Sequence, residues 1–303
     1  MGIKLYTAHA LASIIGHAPP HSRLLTLGVQ ECYFNSASVA RMLGRTFRGT
    51  KQEFVASIRQ AGLDNKTVTS GKMGHKEFFE LFGFSAGLIT TLDTNSYEGA
   101  EIILDLNLPL AKPLANRFNY IFDGGTLEHI FDLPQALVNL TRFCEVGGII
   151  MHCVPVDWQR HGFVNFTPEY FRSFYLNHGY AEVKSCYLVA AEDEKEADRS
   201  YRQVPEAEYE YVFRPRYRTE LLAAYKKVEE SVPYKPPQQG RYVRIWNGAS
   251  AEAPSSDSKN NSRSLARRFL SKLVSPFRNI GAVNELLRVL NQRSRGTKYT
   301  LTD

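Results

Sequence analysis

Several short apolar runs end on a glycine or a carboxylate. Gly28 follows RLLTL, Asp93 closes GLITTLD, Asp105 sits in AEIILDLN, and Asp123-Gly124 closes FNYIFDGG. In an open parallel sheet, ligands bind outside the carboxyl ends of the strands, where loops converge. A glycine after the first strand lets the chain turn beneath a ligand. A carboxylate after the second strand can accept both ribose hydroxyls of a nucleoside. One after the third can accept the exocyclic amine of an adenine. Taken singly, each is an ordinary loop residue: Asp93 could cap a turn with Thr94 and Asn95, and Asp105 could be solvated. Taken in order, they point to a nucleoside-containing cofactor.

A second group of residues could move protons. Glu128-His129 follows the fourth apolar run, and His161 lies in a polar loop beside Gly162, with Trp158, Phe163 and Phe166 nearby. Histidine titrates near neutrality and can take a hydroxyl proton. Glu128 and His129 could equally brace their loop by hydrogen bonds. His152, inside the apolar run IIMHCV, reads as a satisfied core histidine. Cys32, Cys144, Cys153 and Cys186 are widely spaced without a CxxC pair, which excludes a disulfide scaffold or zinc ribbon and makes them core residues. No metal ligand set is expected.

The elements that must position these residues alternate. Helical patterning runs from Ser36 to Phe82. Asp132 precedes Leu133-Pro134, and Leu133, Leu137, Leu140 and Cys144 recur at helical spacing up to Gly147-Gly148. Thr167-Pro168-Glu169 opens another helix, ending near Gly179, and AEVKSCYLVA and TELLAAYKK read as late strands. The expectation is an α/β fold: a Rossmann-like, doubly wound, mostly parallel sheet of about seven strands with helices on both faces.

On these residues the chain resembles the class I S-adenosylmethionine-dependent methyltransferases, from about Leu24 to about Lys227. RLLTLGVQEC resembles the first cofactor motif, and GLITTLDTNSYEGAEIILDLNLPL the second and third strands. FNYIFDGGTLEHIFDLPQAL and GGIIMHCVP resemble the fourth and fifth, and HGFVNFTPEYF is similar to methyltransferase-like proteins of bacterial glycan and secondary-metabolite gene clusters. The resemblance implies S-adenosylmethionine as cofactor, held by Leu27, Gly28, Gln30, Asp93, Thr94, Asp105, Leu106, Asp123 and Gly124. It implies methyl transfer, with His161, His129 and Glu128 as the catalytic candidates. Two departures stand out. Where the family has an acidic residue and then Gly-x-Gly-x-Gly, this chain has Thr26, Gly28, Gln30 and Cys32. The interval from Gly28 to Asp93 also far exceeds the ~20 residues usual between glycine loop and ribose acid. An inserted helical segment at about 46–80 is therefore expected, able to cap the site or to recognise substrate.

Composition bounds the remaining readings. The chain has 303 residues and a net charge of +6. The excess sits from Arg263 onward, where nine basic residues face two acidic ones, so the body is near neutral. That balance, with no Asn/Asp-Pro-Pro-Tyr/Phe motif, argues against a nucleic-acid substrate. The expected acceptor is a small molecule or a glycan or lipid-linked hydroxyl compound, and the expected reaction is O-methylation. The alternative is a methyltransferase-fold scaffold without catalysis, serving a biosynthetic complex. The expected organisation is a domain over 1–247, a Ser/Ala/Asn-rich linker over 248–263 and a basic amphipathic helical tail over 264–303. Within the tail, 264–291 could touch an anionic membrane surface or a partner protein. With no signal-peptide pattern and no long apolar stretch, a cytoplasmic location is expected, with the tail at the inner face of the membrane.

Overall fold

The computed structural model describes residues 2–34, 73–110, 114–191, 200–206, 217–230, 233–247 and 297–300. Nine strands form one sheet: β1 (Leu24–Leu27), β2 (Ile89–Asp93), β3 (Ile102–Ile103), β4 (Phe118–Asp123), β5 (Cys144–Pro155), β6 (Tyr180–Ala191), β7 (Ser200–Pro205), β8 (Tyr217–Lys227) and β9 (Thr297–Thr300). Their order is β3-β2-β1-β4-β5-β8-β6-β7-β9. The first five are mutually parallel, and β8 inserts antiparallel between β5 and β6. The fold is the expected Rossmann-like α/β sheet, extended past seven strands by the antiparallel pair β7 and β9.

Alternation along the central strands builds two cores, because successive side chains point to opposite faces. Leu24, Phe122, Met151, Leu222 and Ala224 face one side and pack with helices α1 (Leu5–Ile15) and α2 (His75–Glu80). Leu25, Leu27, Ile121, Ile150, Leu221 and Ala223 face the other and pack with α3 (Leu133–Phe143) and α4 (Pro168–Leu176). The helix starts follow the sequence signals. Asp132 accepts a hydrogen bond from the Gln135 backbone N–H at 3.1 Å ahead of Pro134, whereas Thr167 caps α4 without a side-chain bond.

Two expectations are corrected. Helix α3 stops at Phe143, not at Gly147-Gly148; the glycines lie inside β5 at a break in its register with β4. A Cβ on Gly148 would come within 2.8 Å of Cys144 Sγ and 2.9 Å of the Asn119 carbonyl, so only glycine lets the strand continue there. The described end of the expected insertion contributes to the core: Phe78 and Phe79 of α2 are fully buried under the sheet. Residues Thr297–Thr300, expected within a helical tail, form β9 along β7. The rest of the insertion (46–72), the linker (248–263) and the expected tail helices (264–291) lie outside the described residues. Residues 238–296 make up a separate unit, whose described part is helix α5 (Gly240–Trp246), with the exposed rings of Tyr242 and Trp246 stacked on each other. Among the described residues, no helix is long and apolar enough to cross a membrane.

Candidate functional site

The strand order reverses at β1, which lies between β2 and β4, and the crevice at such a switch point is where open sheets bind ligands. Register sets Leu27 opposite Leu92 on one side and Asp123 on the other. Gly28 leaves β1 with φ 72°, a left-handed turn that glycine adopts without strain. A Cβ on Gly28 would lie 3.3 Å from Thr126 Oγ1 and 4.0 Å from Asp93 Oδ2, which brings the three chain segments together. Asp93 is half-buried and accepts the Thr94 backbone N–H at 2.6 Å through Oδ1.

The other sequence-derived cofactor residues divide. Asp105 is exposed past the end of β3, and Oδ1 takes the Asn107 backbone N–H at 2.9 Å and its side-chain amide at 2.7 Å. Those two donors hold its carboxyl below the usual range. The Leu106 side chain is buried in the core beneath α3. Leu27 is likewise core, and it offers only its carbonyl oxygen, which accepts from Gln30 Nε2 at 2.6 Å and Thr126 Oγ1 at 2.8 Å. Asp123 is corrected to a structural role. It is fully buried, Oδ1 accepts the Thr126 and Leu127 backbone N–H groups, and Oδ2 meets His152 Nδ1 at 2.9 Å. His152 Nε2 in turn meets the Tyr175 hydroxyl at 2.8 Å, so the histidine is the satisfied core residue the sequence suggested. Gln30 is buried against Gly124, where a Cβ would collide with Gln30 Oε1, and that oxygen has no hydrogen-bond partner.

Beside this crevice, the ends of β4 and β5 bring the catalytic candidates together. Glu128 sits in a 3₁₀ turn (Leu127–His129), two residues beyond Thr126. The loop after β5 is tied to that turn: Phe163 donates its N–H to the Glu128 carbonyl at 2.7 Å, and a Cβ on Gly162 would lie 2.6 Å from the same oxygen. His161 Nε2 thereby lies 3.3 Å from Glu128 Oε1, and His129 Nε2 lies 3.9 Å from it. The two imidazoles meet edge to face at 5.0 Å, and Trp158 stands 5.0 Å from His161. Lys4 and Arg218 each lie over the Trp158 ring, at 4.9 and 4.7 Å.

Burial governs the electrostatics. Glu128 has no exposed surface, and neither of its carboxylate oxygens makes a hydrogen bond. Desolvation, reinforced by the charge of Asp123, raises its pKa to about 8. Burial lowers the pKa of His161, helped by His129, Arg218 and Lys4, and burial also lowers that of His129. The pair thus favours a neutral imidazole beside a carboxyl that keeps its proton near neutrality. Such an imidazole can accept a proton from a bound hydroxyl. Sequence reasoning named Phe166 beside His161, but Phe166 is core. It missed Phe131, which meets Phe163 edge-on at 5.6 Å; these rings are 82% and 65% exposed. It also missed Lys4 and Arg218, which no local motif marks.

No protein-family model matches the chain, and no curated protein is similar to it. Solved structures with a similar fold include the YcgJ protein from Bacillus subtilis, at 9% identity and a TM-score of 0.36, covering 73% of this chain and 98% of that one. Another is the 1,6-didemethyltoxoflavin-N1-methyltransferase of Burkholderia thailandensis, solved with 1,6-didemethyltoxoflavin and S-adenosylhomocysteine. It is 12% identical with a TM-score of 0.37, over 74% of this chain and 78% of that one. A third is the branched-chain polyamine synthase of Thermus thermophilus, at 14% identity and a TM-score of 0.35, over 77% and 58% of the two chains.

Proposed function

We propose that the chain transfers a methyl group from S-adenosylmethionine to a hydroxyl oxygen of a small acceptor, a sugar or lipid-linked compound being the favoured class. The observation that carries this reading is the switch-point turn, where Gly28, Asp93 and Thr126 converge at the ends of three parallel strands. The residues present fit the cofactor. Asp93 retains Oδ2 for ribose hydroxyls, and Asp105 stands on the rim for the adenine edge. Gln30 Oε1 is a buried acceptor in want of a donor, as an ammonium group would supply. When bound, S-adenosylmethionine supplies an electrophilic methyl group.

The chain's own residues would do the rest. His161, neutral and beside Glu128, takes the acceptor's proton at Nε2 or orients the hydroxyl that bears it. The exposed edge-on pair Phe131 and Phe163 offers an apolar surface to the body of a ring-shaped acceptor. Alignment of the hydroxyl with the methyl carbon carries much of the rate in such a displacement. The tail over 264–291 would bring the enzyme to a membrane surface or a partner where lipid-linked acceptors are found.

Gln30 favours a second reading, a scaffold without catalysis, because its side chain fills space beside Gly124 where the family has glycine. Calorimetry with S-adenosylhomocysteine separates the two. The methyltransferase reading expects saturable binding that Asp93→Ala weakens, and absence of binding at millimolar concentration overturns it in favour of the scaffold.

A further inference from the structure

We infer that Glu128, His129 and His161 form a binding site for one divalent transition-metal cation of the zinc, cobalt or manganese type, open toward an oxygen donor of the acceptor. The inference rests on the proposed methyl-transfer reading for the identity of the acceptor, and on the side-chain geometry alone for the ion. The ligand atoms of the three residues lie within 4.8 Å of one another, with Glu128 Oε1 3.3 Å from His161 Nε2 and 3.9 Å from His129 Nε2. Ligands about 2.0–2.2 Å from a tetrahedral zinc ion are roughly 3.4 Å apart, so the cluster needs only a small contraction around an ion. Two imidazoles and one carboxylate are a donor set suited to such borderline cations, and three protein ligands leave positions for an exogenous oxygen. An ion held there would occupy His161 Nε2, so polarisation of the acceptor hydroxyl by the ion would replace proton uptake by that nitrogen, which belongs to the metal-free protein.

The second observation is the state of Glu128. Its side chain is wholly buried, and both carboxylate oxygens lack any hydrogen-bond partner. The other two buried carboxylates nearby are differently placed. Asp123 accepts from His152 and two backbone N–H groups. Glu220 accepts from the Tyr6 and Thr7 hydroxyls and the Cys153 thiol. Neutral donors serve Glu220, and the nearest long cationic side chains, Lys4 and Arg218, lie over Trp158. Of these three buried carboxylates, Glu128 is the one whose oxygens have no hydrogen-bond donor, and Oε1 faces two histidine nitrogens. A buried charge must be paired or must coordinate a metal; without an ion the Glu128 carboxyl stays protonated, and a cation between it and the two imidazoles would hold it as a carboxylate ligand. Trp158 Nε1 is also buried without a partner, and the Trp158 ring packs against His161, so a further unserved donor adjoins the cluster.

The test uses the full chain treated with EDTA, titrated with Co²⁺ by visible absorption and with Zn²⁺ by calorimetry. One equivalent is expected to bind, with His161→Ala and Glu128→Gln weakening affinity by about 100-fold or more, beyond the 10- to 100-fold typical of supporting residues. His129→Ala is the safeguard, since His129 is half-exposed and its loss leaves the core intact; it should weaken binding comparably. His75→Ala, a histidine on α2 bonded to Thr91, should bind as wild type. Absence of stoichiometric binding, or unchanged affinity in both His129→Ala and His161→Ala, overturns the site. Calorimetry with S-adenosylhomocysteine on the same metal-free protein keeps the two ideas apart. Cofactor binding without metal binding overturns the ion alone, and metal binding without cofactor binding supports the ion while overturning methyl transfer.

Discussion

Asp123 and Glu128 are both fully buried carboxylates at the end of β4, yet their surroundings are opposite. Around Asp123 both oxygens are engaged: backbone N–H groups of the following turn on one oxygen, and His152 on the other, with Tyr175 closing the chain behind. Phe171 stacks on the His152 ring at 4.3 Å and seals it from solvent. Around Glu128 the oxygens face two imidazoles at distances longer than a good hydrogen bond, with no donor aimed at them. An interior carboxylate with complete partners is part of the scaffold. One left incomplete, beside a half-exposed histidine and an aromatic rim, is poised for a ligand. The same acidic residue type is thus fully partnered at one position and, in the function proposed above, free for chemistry five residues on.

The contrast breaks most sharply on activity. His161→Ala should lower methyl transfer by about 10²- to 10⁴-fold, with S-adenosylhomocysteine affinity nearly unchanged, as single-turnover kinetics and calorimetry would show. Its thermal stability should stay near wild type, since His161 is only partly buried. An unaltered rate would move the Glu128 cluster to the scaffold side of the comparison. Asp123→Ala should do the reverse. It strands His152 and two backbone N–H groups in the interior, and urea denaturation should show a loss of about 3 kcal/mol. A stable Asp123→Ala protein would mean that the buried chain through His152 and Tyr175 is dispensable. Asp93→Ala acts at a half-buried position where only its own turn is bonded, so stability should change little. Cofactor affinity should fall by about 10- to 100-fold, the equivalent of hydrogen bonds to a charged group at about 1.5–3 kcal/mol.

Much of the fold was legible because strand and helix signals are local. GLITTLD, FNYIFDGG and the Asp132-Leu133-Pro134 cap each carry their own periodicity and punctuation, and each formed the expected element. The glycine pair at 147–148 was misread as a helix stop because a β-bulge and a C-cap use the same residue for the same backbone freedom. The site was legible by position and illegible by burial. Sequence order placed Asp93 and Gly28 together, but nothing in FNYIFDGGTLEH says that Asp123 turns inward while Glu128 is left without donors. That outcome depends on His152 and Tyr175, which come from β5 and α4. The burial of the Leu106 and Phe166 side chains was hidden for the same reason: each sits in a loop by sequence and in the core by packing.

The finest discrimination comes from stability against pH in EDTA-treated protein, where two groups pull in opposite directions. Folded Glu128 has its pKa raised to about 8 from an unfolded value near 4.5, so across that interval the native state holds a proton the unfolded chain has released. Stability contributed this way is complete below about pH 4.5 and is lost as pH rises through about 8. Buried His9, beside Tyr201, has its pKa lowered to about 4 from 6.5 by desolvation. Here the unfolded chain binds the extra proton, so stability is lost as pH falls from 6.5 through about 4. The two windows overlap between about pH 4.5 and 6.5, where the opposing slopes offset each other, so wild-type denaturation midpoints should be level there and fall off below and above it. Glu128→Gln should flatten the alkaline limb by at least about 1 kcal/mol between pH 5 and 8, since one pKa unit corresponds to about 1.36 kcal/mol. It should leave the acid limb in place, because His9 lies elsewhere, on α1. Parallel wild-type and Glu128→Gln curves would mean that Glu128 is as well provided with partners as Asp123, and the distinction between the two carboxylates would collapse.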